Sequence, residues 1–248
     1  MEPELKAVWD LKDSLPAIAI CISAVALFVS IVTYGLAHRQ RAQESRRAAR
    51  KMLSDVLLLI AQATLELSKY DNRTRQGLQT RRGINSQRRY LTNHASQIAA
   101  EFPKAVTDAD LNQLALAHDN TDDYEAALHH WKLCLEKVNN QTHKAYYLRG
   151  YARFLYRWGR LQDGRKAYED ALRVNLSDDD MARVLHSDTY LLWSLAEDQF
   201  GSPDQVSILR ERAIAEANRI GQKSRRDYAL ESIRASHLEF SQGWWLSV

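Results

Sequence analysis

Glycine and proline are scarce in this chain, with 9 and 4 residues among 248. An all-β fold with many tight turns draws heavily on both, so that class is set aside. Cysteine is scarcer still. Cys21 and Cys134 stand far apart with no near partner, which excludes a disulfide framework or a thiolate metal cluster and fits a reducing compartment. The short patterns that mark catalysis are missing too: no phosphate-cradling glycine loop, no His-Glu-x-x-His and no nucleophile elbow. The expectation is therefore a protein that is not an enzyme and needs no cofactor or metal. The only adjacent histidines, His129 and His130, point about 100° apart on a helix and do not converge on one ion. The acidic runs Asp122-Asp123 and Asp178-Asp179-Asp180 stand at expected helix starts, where the helix dipole favours them.

What is present is helical and globular. Apolar residues make up 45% of the chain and charged ones 26%, a globular balance. Leu, Ala, Arg, Glu and Gln dominate, and these favour an all-α fold. The net charge of +3 is unevenly spread. Residues 1–37 carry Glu2, Glu4, Asp10 and Asp13 against Lys6 and Lys12. Residues 38–51 carry Arg39, Arg41, Arg46, Arg47, Arg50 and Lys51 against Glu44 alone. Arg73, Arg75, Arg81, Arg82, Arg88 and Arg89 extend the basic zone, and the chain from residue 90 onward is net acidic.

Leu15–Ala37 contains no Asp, Glu, Lys or Arg. As a helix it is about 34 Å long, enough for a hydrocarbon core of about 30 Å. Ser14 and Pro16 suit its start, and Trp9 and Tyr34 suit two membrane interfaces. A cleaved secretory signal would want a basic start and a shorter apolar core; a buried core helix would be one-sided. The reading is a single transmembrane helix over 15–37. The positive-inside rule places residues 1–14 outside and the C-terminal region in the cytoplasm, as a single-pass protein of the plasma (inner) membrane. Arg39, Arg41, Arg46, Arg47, Arg50 and Lys51 then face the membrane surface, as a topology signal or as a headgroup contact.

Beyond this segment the pattern is amphipathic. Leu53, Val56, Leu57, Ile60, Ala63 and Leu67 form one stripe of a helix over 44–70. Residues 71–85, with Asn72, Gly77 and Gly83 among arginines, read as a loop or broken helix. A helix over 86–101 follows and Pro103 ends it. From Thr107 the chain repeats itself. Thr107 with Asp110 opens one helix, bearing Leu111, Leu114 and Ala115. Asp122 with Glu125 opens the next, bearing Tyr124, Ala127, Trp131, Cys134 and Leu135. A second pair carries Leu148, Tyr151, Ala152 and Leu155, a turn at Gly159, then Leu161, Gly164, Tyr168, Ala171 and Leu172. A third pair begins after Ser177, with Tyr190, Trp193 and Ser194, a turn at Gly201, then Pro203, Val206, Ala213 and Ile214. Gly221 stops it, and Ser224 starts a last helix to about residue 241.

These residues resemble the tetratricopeptide repeat family, whose helix pairs combine small residues with large aromatic ones. Ala115, Ala127, Ala152 and Gly164 stand at the small positions, Trp131 and Tyr168 at large ones. The resemblance covers about 107–220 and implies an α-solenoid of antiparallel helix pairs, with 38–106 as basic juxtamembrane and N-terminal capping region and 221–248 as C-terminal cap and tail. It also implies a groove lined by the first helix of each pair. On that face Arg149, Arg153 and Arg157 recur every four residues with Tyr146 beside them, and Asn112 is a polar position in the first repeat. The arginines suit successive carboxylates of an acidic peptide; a solvated stripe paired with nearby acids is the plainer reading. Trp244 and Trp245 near the C-terminus either pack on the last helix or touch a partner. The function expected is a membrane-tethered scaffold that recruits a cytoplasmic protein or acidic peptide. The alternative is a membrane-linked nucleic-acid-binding protein using segment 73–89 with Tyr90.

Overall fold

The computed structural model describes residues 3–71 and 73–240, with side chains from 27 to 236. Among the described residues all the regular structure is helical: α1 (Pro3–Leu67), α2 (Arg75–Glu101), α3 (Asp108–Asp119), α4 (Tyr124–Lys137), α5 (Gln141–Arg157), α6 (Leu161–Arg173), α7 (Asp180–Phe200), α8 (Pro203–Asn218) and α9 (Lys223–Phe240). The all-α expectation is met. The chain divides within α1 into two compact units, Met1–Met52 and Leu53–Val248.

The expected membrane anchor is corrected. Among the described residues no helix is long and apolar enough to cross a membrane. Of the segment 15–37, only Leu27–Ala37 has described side chains. From His38, Arg39 and Arg41 onward the same helix is polar. Trp9, Ser14 and Pro16 lie outside the described side chains. The single-pass topology, the outside N-terminus and the inner-membrane location are withdrawn with the anchor. Arg39, Arg41, Arg46, Arg47, Arg50 and Lys51 are all exposed side chains of α1, and their reading as a membrane-facing cluster loses its premise.

In the larger unit, α1 and α2 supply one wall of the core. Leu53, Val56 and Ile60 from α1 share an apolar cluster with Leu91, Ala95, Ile98 and Ala99 from α2. The stripe read from the sequence is thus the buried one. The helix α2 begins well before the expected Ser86, and two contacts explain why. The Thr74 hydroxyl accepts from the Gly77 N–H at 3.0 Å, capping the first turn. Arg81, one turn on, donates to the carbonyls of Leu67 (2.9 Å) and Tyr70 (3.0 Å), satisfying the loose end of α1. Gly77 is needed there because a Cβ would run into the Asp71 carbonyl.

Three helical hairpins follow: α3 with α4, α5 with α6, and α7 with α8. Each is joined by a short connection, which makes the paired helices antiparallel neighbours, and each pair is in extensive contact. The Thr107 capping box with Asp110 forms as expected. The next cap is Asp123, one residue beyond the expected Asp122, because Asp122 takes a left-handed conformation at φ 59° in the turn. Gly159 makes the following turn at φ 73°. In the third pair Asp179 caps α7, with Ser177 donating to its carboxylate. Ser202 precedes Pro203 but does not cap α8 with its side chain.

The small and large positions singled out in the sequence are buried. Ala115, Ala127, Ala152 and Gly164 are buried, and a Cβ on Gly164 would strike the Tyr156 ring. Trp131 and Tyr168 are completely buried. The main apolar cluster runs through α7; a second joins Leu191, Leu195, Ala213, Ala217 and Ile220 to Ala229 and Ile233 of α9. The carboxylate of Asp180, at the start of α7, accepts the N–H groups of Gly221 (2.8 Å) and Gln222 (2.7 Å), fixing the α8–α9 junction. Trp244 and Trp245 lie outside the described residues.

Candidate functional site

The three arginines of α5 share one face, yet the structure gives them three different surroundings. Arg157 is committed to the fold. It donates to the Asp119 carbonyl at 2.8 Å and to the Asp122 carboxylate at 2.6 Å, tying the α3–α4 turn to the end of α5. Trp158 reinforces this by donating to the Asp119 carboxylate at 2.9 Å. Burial raises the Asp119 pKa, opposed by the hydrogen bond from Trp158 and the charge of Arg157. Arg153 is exposed, and among the described residues no carboxylate pairs with it in a salt bridge; its charge bears on Asp119 and Tyr168.

Arg149 is the unusual one. It is 6% exposed, placed between α5 and α7. Its nearest acid is Asp188 of α7, at 3.9 Å, longer than a good charge-assisted hydrogen bond. Its Nε and Nη1 are buried without a hydrogen-bond partner. The guanidinium carbon lies 4.6 Å from the centre of the Tyr146 ring, within cation–π range, while Tyr146 remains 57% exposed. Burial lowers the Arg149 pKa, with Asp188 acting against it, and burial raises that of Asp188. The arrangement is a desolvated cation with spare donors, roofed by an exposed aromatic ring and flanked by a second, unpaired cation. Such a group favours an incoming carboxylate that completes its hydrogen bonds. Asn112 is buried on α3 and has no hydrogen bond to these α5 residues, so it stands apart from them.

Two further constellations were not anticipated from the sequence. Glu197 of α7 is wholly buried. It accepts from Tyr156 at 2.5 Å, from Arg165 Nε and Nη2 at 2.7 and 2.9 Å, from Trp193 at 3.2 Å and from the Ser202 N–H at 2.9 Å. Burial by itself would raise this carboxyl, but the hydrogen bonds, led by Arg165 and Tyr156, win and hold it at about 2. One residue thereby joins α5, α6, α7 and the entry to α8.

The second constellation lies where α2 meets the first hairpin. His118 Nδ1 is 3.2 Å from the Asp123 carboxylate, and its Nε2 is 2.7 Å from Ser96 Oγ. Ser96 Oγ is also 3.1 Å from His130 Nε2, and the two imidazoles stack at 5.2 Å. With Asp123 accepting from Nδ1–H, His118 Nε2 is an acceptor and Ser96 donates to it. Ser96 then accepts from His130 Nε2–H, leaving His130 Nδ1 as an unpaired acceptor, in keeping with its lack of a partner. Burial lowers both histidines, His130 to about 4, and Asp123 only partly opposes this for His118. The row has the order of nucleophile, base and orienting acid. However, Ser96 lies inside α2, whose neighbouring N–H groups are spent on the helix and so form no backbone oxyanion hole beside it. Its chemistry is that of a neutral hydrogen-bonded clasp. Among the described residues no three His, Cys, Asp or Glu side chains gather as metal ligands.

The six arginines of the basic segment 73–89 divide evenly: Arg73, Arg75 and Arg82 are exposed, while the other three bond to the fold. Arg81 caps α1, Arg88 is buried and donates to Asn85 at 3.2 Å, and Arg89 donates to the Thr121 carbonyl at 3.1 Å. Tyr90 is exposed.

No protein-family model matches the chain, and neither does any curated protein or solved structure.

Proposed function

We propose that the helical hairpins form a partner-binding module that takes an acidic peptide segment on the α5–α7 face, through Arg149, Arg153 and Tyr146. The observation that carries this reading is Arg149: a nearly buried guanidinium whose Nε and Nη1 have no hydrogen-bond partner and whose only ion pair among the described residues is with Asp188 at 3.9 Å. The resemblance of the hairpins to tetratricopeptide repeats supports it, because first helices of such pairs line a concave groove. Arg157 belongs to the fold and Asn112 is a core residue, so neither is assigned to the contact. The nucleic-acid reading has less behind it, since Arg81, Arg88 and Arg89 bond to the fold and Arg73, Arg75 and Arg82 are the exposed remainder for phosphates.

The test is fluorescence anisotropy with a labelled Glu-rich peptide and, separately, a single-stranded oligonucleotide. The peptide should bind, weaken with salt, and lose about tenfold or more in affinity with Arg153→Ala. Arg153→Glu should lose more than Arg153→Ala, because repulsion adds to lost attraction. Arg149→Ala should act in the same direction, with a melting curve to separate binding from folding. Unchanged peptide affinity in both Arg153 variants, or tighter binding of the oligonucleotide, overturns the proposal.

A further inference from the structure

Arg88, Thr92 and Ser96 recur every four residues and form one row on α2. Ser96 reaches the first hairpin at His118 of α3 and His130 of α4. The seam so formed is poorly satisfied. Arg88 Nε, Thr92 Oγ1 and His130 Nδ1 are all buried without a hydrogen-bond partner. The other polar link across it among the described residues is one hydrogen bond, from Arg89 to the Thr121 carbonyl. The seam is also short of negative charge. From α2 there is no acid before Glu101, and Arg88 adds a buried cation. Asp122, which acts on Arg88, is held by Arg157. From α3, Asp119 is spent on Arg157 and Trp158. From α4, Asp123 is the carboxylate that acts on the two imidazoles, and it already caps the Ala126 N–H; His129 opposes charge on His130.

One proton can be held here and two cannot. On His118 a proton makes both ring nitrogens donors. Nδ1–H then stays on Asp123, and Ser96 Oγ, with two lone pairs, accepts from both rings. A second proton falls on His130 Nδ1, which is buried and meets no acceptor. It also sets two cations in a stack 5.2 Å apart. A buried, charged donor without a partner is strongly unfavourable, and opening the seam to water relieves it. We propose that this seam is an acid-operated switch: once both imidazoles are protonated, α2 and the part of α1 that packs on it come away from the first hairpin, while the helices from α5 onward stay folded. The parting is local because the bonds that Glu197 makes across α5, α6 and α7 involve no histidine. Histidine pairs serve as switches through this change of charge in a site that cannot solvate it.

The experiment is hydrogen–deuterium exchange of the full chain by mass spectrometry, from about pH 7 down to about pH 4, corrected for the intrinsic pH dependence of exchange. Peptides from α2 and from residues 53–67 should lose about tenfold or more of their protection as pH falls, ahead of any loss in α5–α8. Protection should return at neutral pH. His130→Gln and His118→Gln each leave at most one proton in the seam, so both should keep α2 protected in acid. Ser96→Ala removes the shared hydroxyl and should loosen α2 already at neutral pH, with α5–α8 unaffected. Loss of protection in all helices at one pH, which is global unfolding, overturns the proposal. So does an acid response in α2 that persists unchanged in both histidine variants.

Discussion

Glu197 illustrates how much one buried carboxylate organises. With five hydrogen bonds from three helices and a helix entry, its removal strands Arg165 and Tyr156. Glu197→Ala is expected to cost about 3–5 kcal/mol, measured as a shift in the urea midpoint. Its acid behaviour has a definite sign. The folded pKa, about 2, is below the ordinary 4.5, so the unfolded chain binds the proton more readily. The stability from this residue is complete above about pH 4.5 and drains away as pH falls toward 2. The histidines add an earlier loss. His118 and His130 are depressed, His130 to about 4 against 6.5. Burying them neutral contributes stability above about pH 6.5 that declines as pH falls toward 4. Melting temperature should therefore drop across that range, and His130→Gln should flatten the drop. An unaltered slope in the variant would mean that the Ser96 clasp is not what titrates.

At the scale of elements, the hairpins and the second half of α2 were legible and the first turns of α2 were not. Thr107 with Asp110, Gly159 and Gly201 mark boundaries by local chemistry, and local chemistry is what a sequence displays. The first turns of α2 depend instead on Arg81 reaching the carbonyls of Leu67 and Tyr70, a bond across a turn that no periodicity reveals. Gly77 and Gly83 therefore resembled breakers. The arginine stripe divides the same way: its spacing was visible, but the difference between Arg149, Arg153 and Arg157 is set by Asp188 on α7 and by Asp119 and Asp122 in the α3–α4 turn. Glu197 and the Ser96 clasp were missed for that reason too, although His118 and His130 do continue the buried stripes of α3 and α4. The close approach of α5 to α6 gives a direct check. Gly164→Leu should collide with Tyr156 and cost about 1–3 kcal/mol in a denaturant melt; a variant as stable as the parent would refute the contact. Thr107→Ala, by loss of the capping box, should cost about 1 kcal/mol.

At the scale of the whole chain, division at Met52 and Leu53 falls within a helix and not in a loop, so α1 belongs to both units. The larger unit contains both apolar clusters and the α5–α7 face. A fragment beginning at Leu53 is expected to keep a helical circular dichroism spectrum and a cooperative thermal transition. Loss of the transition would show that the first 52 residues are required for folding.

The Asp180 carboxylate that holds Gly221 and Gln222 has a consequence for hydrogen exchange. These two residues are exposed, and exposed backbone in a short junction ordinarily trades its amide protons with solvent almost at once. Here both N–H groups point at a carboxylate whose pKa is lowered by those same bonds. Deuterium should therefore enter Gly221 and Gln222 more slowly than at neighbouring exposed positions. In Asp180→Asn, which keeps a single acceptor oxygen, exchange should speed up at these two amides first. The junction between α8 and α9 would then be the place where the last helix begins to come loose.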